Sequence, residues 1–420
     1  MKGLQTIKRR LGTPNIVPLL LLYGATVTVV SAAVALEEGF LYLNQLRGEA
    51  GVLPLTANAE LAQAATLHAR YLQFNQHQGH RQQPGLPYFT GETVIDRVIA
   101  SEYGQRQVLE NISTHSSAVT VIESIDSLMG AIYHRFAFLA FDIDEVGIGY
   151  SGREENHIFV YNLGNRELRQ LCQKGRSYSG SGAYYQQLCA DSRQRLAAAA
   201  VDRSRQQRLA AQPPWIVWPP PESRDTLPAF YDEAPDPLPD YSVSGYPISL
   251  QFNPERYRGL SPIVSRFELF ALNEGREVTP TRLLWHANDP NHQLTPLQFA
   301  LFPLQRLQWG GEYRVELDYL LDGKFNSLEW QFQVRQLPWP LYVIEQPEGI
   351  YINARSGEPF AVYLPPLTAT DSNSDVRWRY TPTLTELKIE AIDGNTLKVV
   401  GYGRGRAEIT FHQTRFEVVL

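Results

Sequence analysis

Two histidines and one carboxylate have the types and settings that could do chemistry: His80 in NQHQGHRQQPGLPYFTG, Glu110 in LENIS and His134 in AIYHRF. Two neutral imidazoles can hold zinc at about 2.0–2.1 Å, with Glu110 as a further ligand or as the partner that fixes a ring tautomer. A water in the open position would then be a nucleophile, and Glu110 its base. The same side chains could instead form a hydrogen-bonded cluster that orders a groove and turns nothing over. They make no compact motif of the HExxH kind. A GxSxG nucleophile turn and a Walker loop are also absent, so neither a serine nucleophile nor a nucleotide cofactor is expected. His68 sits in an apolar helix and reads as a core residue, and His77 reads as an exposed loop residue that could replace His80. Arg97 and Arg135 read as anchors for loops around the groove, pairing with carboxylates or backbone carbonyls.

The elements around these residues come in the order helices, then strands. LEEGFLYLNQLRGEAG places Phe40, Leu43 and Leu46 on one helical face, with Gly51 as the stop. A second helix is predicted over Asn58–Asn75, a loop over Asn111–Ser117, and a long third helix over Ala118–Tyr133. Val146–Tyr150 and His157–Gly164 alternate as strands. That order implies layered α and β elements rather than a repeating βαβ chain.

The succession HARYL, a histidine before PGLPYFTG, DR, ENIS, SLMGAIYHR and VGIGY resembles the bacterial SCP-like branch of the CAP superfamily over about Leu36 to Gly164. The resemblance implies an α+β, three-layer α-β-α sandwich and a groove holding two histidines and two glutamates, which in some members binds a divalent cation. It assigns His80 and His134 as the groove histidines and Glu110 as the glutamate of the family's GEN motif, here with Leu109 in place of the glycine. The fourth position is open. Glu123 and Asp126 lie roughly 16 and 12 Å before His134 along a continuous helix, too far to share a metal. Gly130 offers no side chain, so the site would be a triad completed by water, with zinc or magnesium the expected cation.

The first 35 residues read separately. Lys2, Lys8, Arg9 and Arg10 precede an apolar run over residues 16–35 that ends in Ala33-Val34-Ala35, the layout of a secretory signal peptide or of a retained membrane anchor. The protein is therefore expected to be exported, whether periplasmic, at the cell surface or secreted. In an oxidising compartment Cys172 and Cys189 should pair and stabilise their loop by about 2–3 kcal/mol. A formal net charge of -6 gives no basic field to gather nucleic acid.

Residues 36–191 are assigned to the CAP/SCP-like domain with a C-terminal extension, and 192–242 to an exposed helix followed by a proline-rich, semi-rigid linker in which Trp215 and Trp218 pack onto a domain. Two β-sandwiches follow, over 243–337 and 338–420, and resemble bacterial Ig-like modules. Their clearest signal is the hairpin of GEYRVELDYL with FNSLEWQFQV across Asp322-Gly323. Three functions are open: a non-catalytic or metal-modulated module binding a peptide, lipid or envelope component, a metal-dependent hydrolase of peptide or envelope polymer, or a purely structural surface protein.

Overall fold

The computed structural model describes residues 36–153, 155–345, 350–366, 368–369, 376–411 and 414–420. The segment read as a signal or anchor lies outside the described residues. Among those described, no helix is long and apolar enough to cross a membrane.

The N-terminal part contains α1 (36–49), β1 (Thr56–Ala57), α2 (Ala59–Asn75), α3 (Val94–Ala100), β2 (Leu109–His115), α4 (Val121–Gly130), α5 (Ile132–Phe138), β3 (Glu145–Arg153), β4 (Asn156–Gly164) and α6 (Arg166–Gln173). Its sheet has the order β1-β3-β4-β2, with β1 parallel to β3 and the other pairs antiparallel. Strand alternation divides the core between two helical layers. Ile158 and Val160 of β4 meet Ala65, Ala69 and Leu72 of α2. Phe159, Tyr161 and Leu163 turn the other way, into a cluster with Leu43 and Leu46 of α1 and Ile125 of α4. Three α-β-α layers result, as expected.

The alternating glycines of VGIGY have a packing cause. A β-carbon at Gly147 would lie 2.0 Å from the Ala62 nitrogen, and one at Gly149 2.2 Å from the Thr66 nitrogen. Helix α2 thus rests directly on the backbone of β3. Gly147, Gly149 and Gly152 match the spacing of a dinucleotide-binding loop, but all three lie inside β3: the first two seat helix α2, and a β-carbon at Gly152 would meet Tyr150 and His157.

Two local expectations are corrected. The stretch expected to be a loop over Asn111–Ser117 is largely strand β2, paired to β4 from Leu109 to His115. Its inward residues Asn111 and Ser113 are buried polar groups, so no hydrophobic alternation marks the strand. They are satisfied by His134 O and by Ser124 Oγ. The long helix over Ala118–Tyr133 is two helices, interrupted at Ala131 in an extended conformation. Thr120 and Glu123 form a capping box that starts α4.

The chain beyond α6 stays on this domain longer than expected. Cys172 and Cys189 form a disulfide with a Cα–Cα distance of 5.3 Å, as predicted. Helix α7 (Ala198–Ala210) follows, and the Gln212 amide donates to Phe141 O. Trp215–Trp218, within the stretch read as linker, pairs with Ile248–Phe252 and is an outer strand of the first β module. Trp-Ile-Val-Trp supplies bulky strand formers that outweigh the flanking prolines.

That module is two four-stranded sheets. One contains Thr281–Trp285, Gln298–Pro303, Ile248–Phe252 and Trp215–Trp218, and the other Arg276–Glu277, Ile263–Ala271, Glu312–Leu321 and Lys324–Gln333. The hairpin turn is as read, with Asp322 and Gly323 at φ 49° and 69°. A second pair of four-stranded sheets spans Leu341 to Val419 around its own core of Phe360, Val399, Ile409 and Phe416. Two all-β modules therefore follow the layered domain.

The first module does not hang from a spacer. Trp218, Tyr246, Ile248 and Leu250 share one apolar cluster with Leu128 and Met129 of α4. Ile132 and Phe136 of α5 are buried against Phe230, Leu238, Leu294 and Phe302. Arg135, wholly buried, donates to Met129 O, Pro247 O and Ser249 Oγ and lies 4.7 Å over the Tyr246 ring. It anchors carbonyls as expected, but those of a joint between domains.

Candidate functional site: two histidine–carboxylate pairs

The three residues singled out from the sequence fall into two separate pairs. The first is built on α2, α3 and β2. Thr93 and Asp96 cap α3, which sets Arg97 one turn in and fully buried. Its Nη1 donates to His80 O at 2.9 Å and holds the loop that carries His80. Its Nη2 lies 2.7 Å from both oxygens of Glu110. His80 Nδ1 meets Glu110 Oε1 at 3.0 Å, and the His80 side chain is 49% exposed. Glu110 itself is buried. Burial alone would raise its carboxyl, but the His80 hydrogen bond and the Arg97 charge outweigh that and hold it below the ordinary glutamate range.

His68 and Gln82 brace this pair from behind. Gln82 Nε2 meets His68 Nδ1 at 3.0 Å, while Gln82 Oε1 accepts from the Thr90 amide at 2.7 Å and so closes the loop of residues 82–90. Donation from Gln82 leaves the ring proton of His68 on Nε2, 3.9 Å from Glu110 Oε1. Burial pushes the His68 imidazole down to about 4, so it is neutral at physiological pH, a core residue as expected. His77 is exposed and lies edge-on to Tyr71.

The second pair crosses the domain joint. Glu110 and Asn111 are successive residues of β2 and face opposite sides of the sheet. The Asn111 amide donates to His134 O at 2.9 Å, so α5 lies on the face away from Arg97. His134 Nδ1 meets Glu233 Oε1 at 2.7 Å, and the same oxygen accepts the backbone amides of Tyr133 and His134 at 2.9 and 3.1 Å. These amides belong to the first turn of α5, which has no side-chain cap of its own, so Glu233 fills that role from 99 residues away. Tyr133 OH bonds Asp289 of the first β module and extends the same seam. Glu233 and Gln82 are partners of these histidines that the sequence did not reveal. Gln82 lies beside the histidine motif, but Glu233 sits in DEAPD with no local signal.

The other carboxylates considered are committed elsewhere. Glu123 accepts from Thr120 N in the capping box, and Asp126 bonds Tyr42 OH and Arg335. Among the described residues, no group of three or more His, Cys, Asp or Glu side chains is arranged to hold a metal. The donors do not fit a cation shared by His80, Glu110 and His134. Both Glu110 oxygens face a buried guanidinium, and a divalent ion there would meet that charge at close range.

An α-β-α sandwich with a half-exposed histidine set on a buried carboxylate is the class of domain this geometry defines. Residues 40–163 match the CAP model, described as the Cysteine-rich secretory protein family, and the chain therefore carries a CAP domain ahead of its all-β modules. Among solved structures, an extracellular protein containing an SCP domain from Bacillus anthracis is 18% identical, covering 31% of this chain and 40% of its own, with a TM-score of 0.27. An outer surface protein from Borrelia burgdorferi is 17% identical, covering 31% of this chain and 92% of its own, with a TM-score of 0.28. The chain thus spans 40% of the length of the Bacillus protein. No curated protein sequence matches.

Proposed function

We propose that the CAP domain is an exported, non-catalytic binding module that engages a component of the cell envelope at the His80 face without a metal, and that the first β module holds the domain in place. The observation that carries this reading is the engagement of Glu110. Arg97 bridges both of its oxygens at 2.7 Å, so the carboxylate orients the His80 ring instead of serving a cation or taking a substrate proton. In the neutral ring, with Nδ1 donating to Glu110, Nε2 is an acceptor on a half-exposed side chain, a recognition group for a ligand hydroxyl or amide. Export is supported by the basic and apolar leader and by the Cys172–Cys189 disulfide, a bond that persists in oxidising compartments.

Two measurements on the full chain test this. Metal analysis with zinc and magnesium titration should give no stoichiometric binding, and no difference from a His80→Ala/His134→Ala variant. Co-sedimentation with isolated envelope fragments should occur and should weaken in His80→Ala. One zinc per chain, lost in the double variant, would sink the reading and reopen the hydrolase.

A further inference from the structure

We propose that the cleft at the C-terminal end of α2 is a second binding site, one for an oligosaccharide chain. The proposal rests on the CAP domain being a binding module but not on its His80 face. The cleft has a volume of about 1080 Å³ and opens between the last turn of α2 and the tip of the β3–β4 hairpin. Arg70, Gln73 and Phe74, spaced three and four residues apart, share the face of α2 that lines it. Tyr88 lines it beside Phe74.

Phe74 is 61% exposed and Tyr88 49% exposed, and their rings meet edge-on with centroids 5.2 Å apart. The pair is held rigidly. Asn75 Nδ2 donates both to Tyr71 O in α2 and to Pro87 O, each at 2.9 Å, fastening the loop to the helix immediately before Tyr88. Tyr88 sits at φ 61°, a left-handed conformation that a bulky residue avoids unless its surroundings impose it. The fold thus maintains a strained backbone that presents an aromatic ring to solvent.

Polar groups alternate with the rings. Gln73 accepts from Ser151 Oγ through its Oε1, which ties the last turn of α2 to strand β3, and its Nε2 is buried with no hydrogen-bond partner among the described residues. The amides of Gln76 and Asn156 line the cleft with it. Flat aromatic rings interspersed with planar amides match a pyranose, which offers an apolar C–H face to a ring and hydroxyls at its edge to donors and acceptors. An acyl chain would need a continuous apolar wall, which Arg70, Arg153, Glu155 and these amides interrupt. Fixed rings and a fixed loop also mean that little ordering entropy is lost on binding.

The test is isothermal titration of the full chain with two probes, a five-residue chito-oligosaccharide and an oligogalacturonate of the same length. Binding of at least one is expected, weakened about tenfold or more in Phe74→Ala and in Tyr88→Ala and unchanged in His80→Ala. A preference for the acidic probe, lost in Arg70→Ala, would mark a carboxylate-bearing sugar; equal binding of both would mark recognition through the rings and amides alone, and either supports the site. Phe74→Ala should keep the wild-type melting temperature, because its ring is exposed. Failure of both probes to bind, or binding that neither aromatic substitution changes, overturns the proposal. Envelope co-sedimentation that depends on His80 would survive that failure, so the two readings fall separately.

Discussion

Replacing Arg97 by methionine tests the logic of the site most directly. The substitution keeps much of the side-chain stem but removes the guanidinium that bridges the two Glu110 oxygens and anchors His80 O. Glu110 is then a buried carboxylate with His80 as its remaining close partner. Breaking a buried ion pair from one side costs about 3–5 kcal/mol, because the other charge is left uncompensated. The sign with pH follows from the depressed carboxyl. The stabilisation by Arg97 is fully present above the ordinary glutamate range and is lost as pH falls through the lowered value in the folded protein. The cost of Arg97→Met should therefore be about 3–5 kcal/mol near pH 7 and shrink in acid, and Arg97→Met/Glu110→Gln should recover a large part of it. Urea unfolding followed by helical circular dichroism is the suitable assay. The described helices lie in residues 36–210, whereas all 7 tryptophans lie at or beyond Trp215, so fluorescence would report mainly on the β modules. An equal cost at both pH values, or a double variant no more stable than the single one, would refute the reasoning.

Three further outcomes are expected. Glu233→Ala should destabilise the joint by about 3 kcal/mol, since it strips His134 and two backbone amides of one shared acceptor, and hydrogen exchange should show the amides of Tyr133 and His134 losing protection first. Reducing Cys172–Cys189 should cost about 3 kcal/mol, a loop of this size being the main contribution, and alkylation without prior reduction should add no mass to the folded protein. His68, neutral in the fold with its value pushed down to about 4, should destabilise the domain by up to about 3 kcal/mol as pH falls from roughly 6.5 to 4, where the unfolded chain binds the extra proton. His68→Asn should flatten that part of the stability profile.

The sequence by itself determined what is local or written as a motif. Helical spacing of apolar residues and the alternation of strands such as VGIGY gave layered α and β elements, and the resemblance carried by the motif order implied that the layers number three. The Asp322-Gly323 turn and its flanking alternation specify a hairpin whatever surrounds them. Two cysteines with no other candidate leave one pairing within the chain. His80 and Glu110 were legible as partners through motif order, 30 residues apart.

Tertiary structure alone decided what those residues can do. Strand β2 was hidden because its inward residues, Asn111 and Ser113, are polar and are satisfied only by α4 and α5, so hydrophobic periodicity could not expose it. The two imidazoles of a single expected triad serve different contacts because β2 sends consecutive side chains to opposite faces and the chain breaks at Ala131 to begin a second helix. Glu233 reaches His134 across 99 residues, and Trp215–Trp218 finds its strand partner in Ile248–Phe252, beyond the proline-rich stretch. Such contacts are set by the burial of whole surfaces against one another, a property of the assembled layers that no window of neighbouring residues contains.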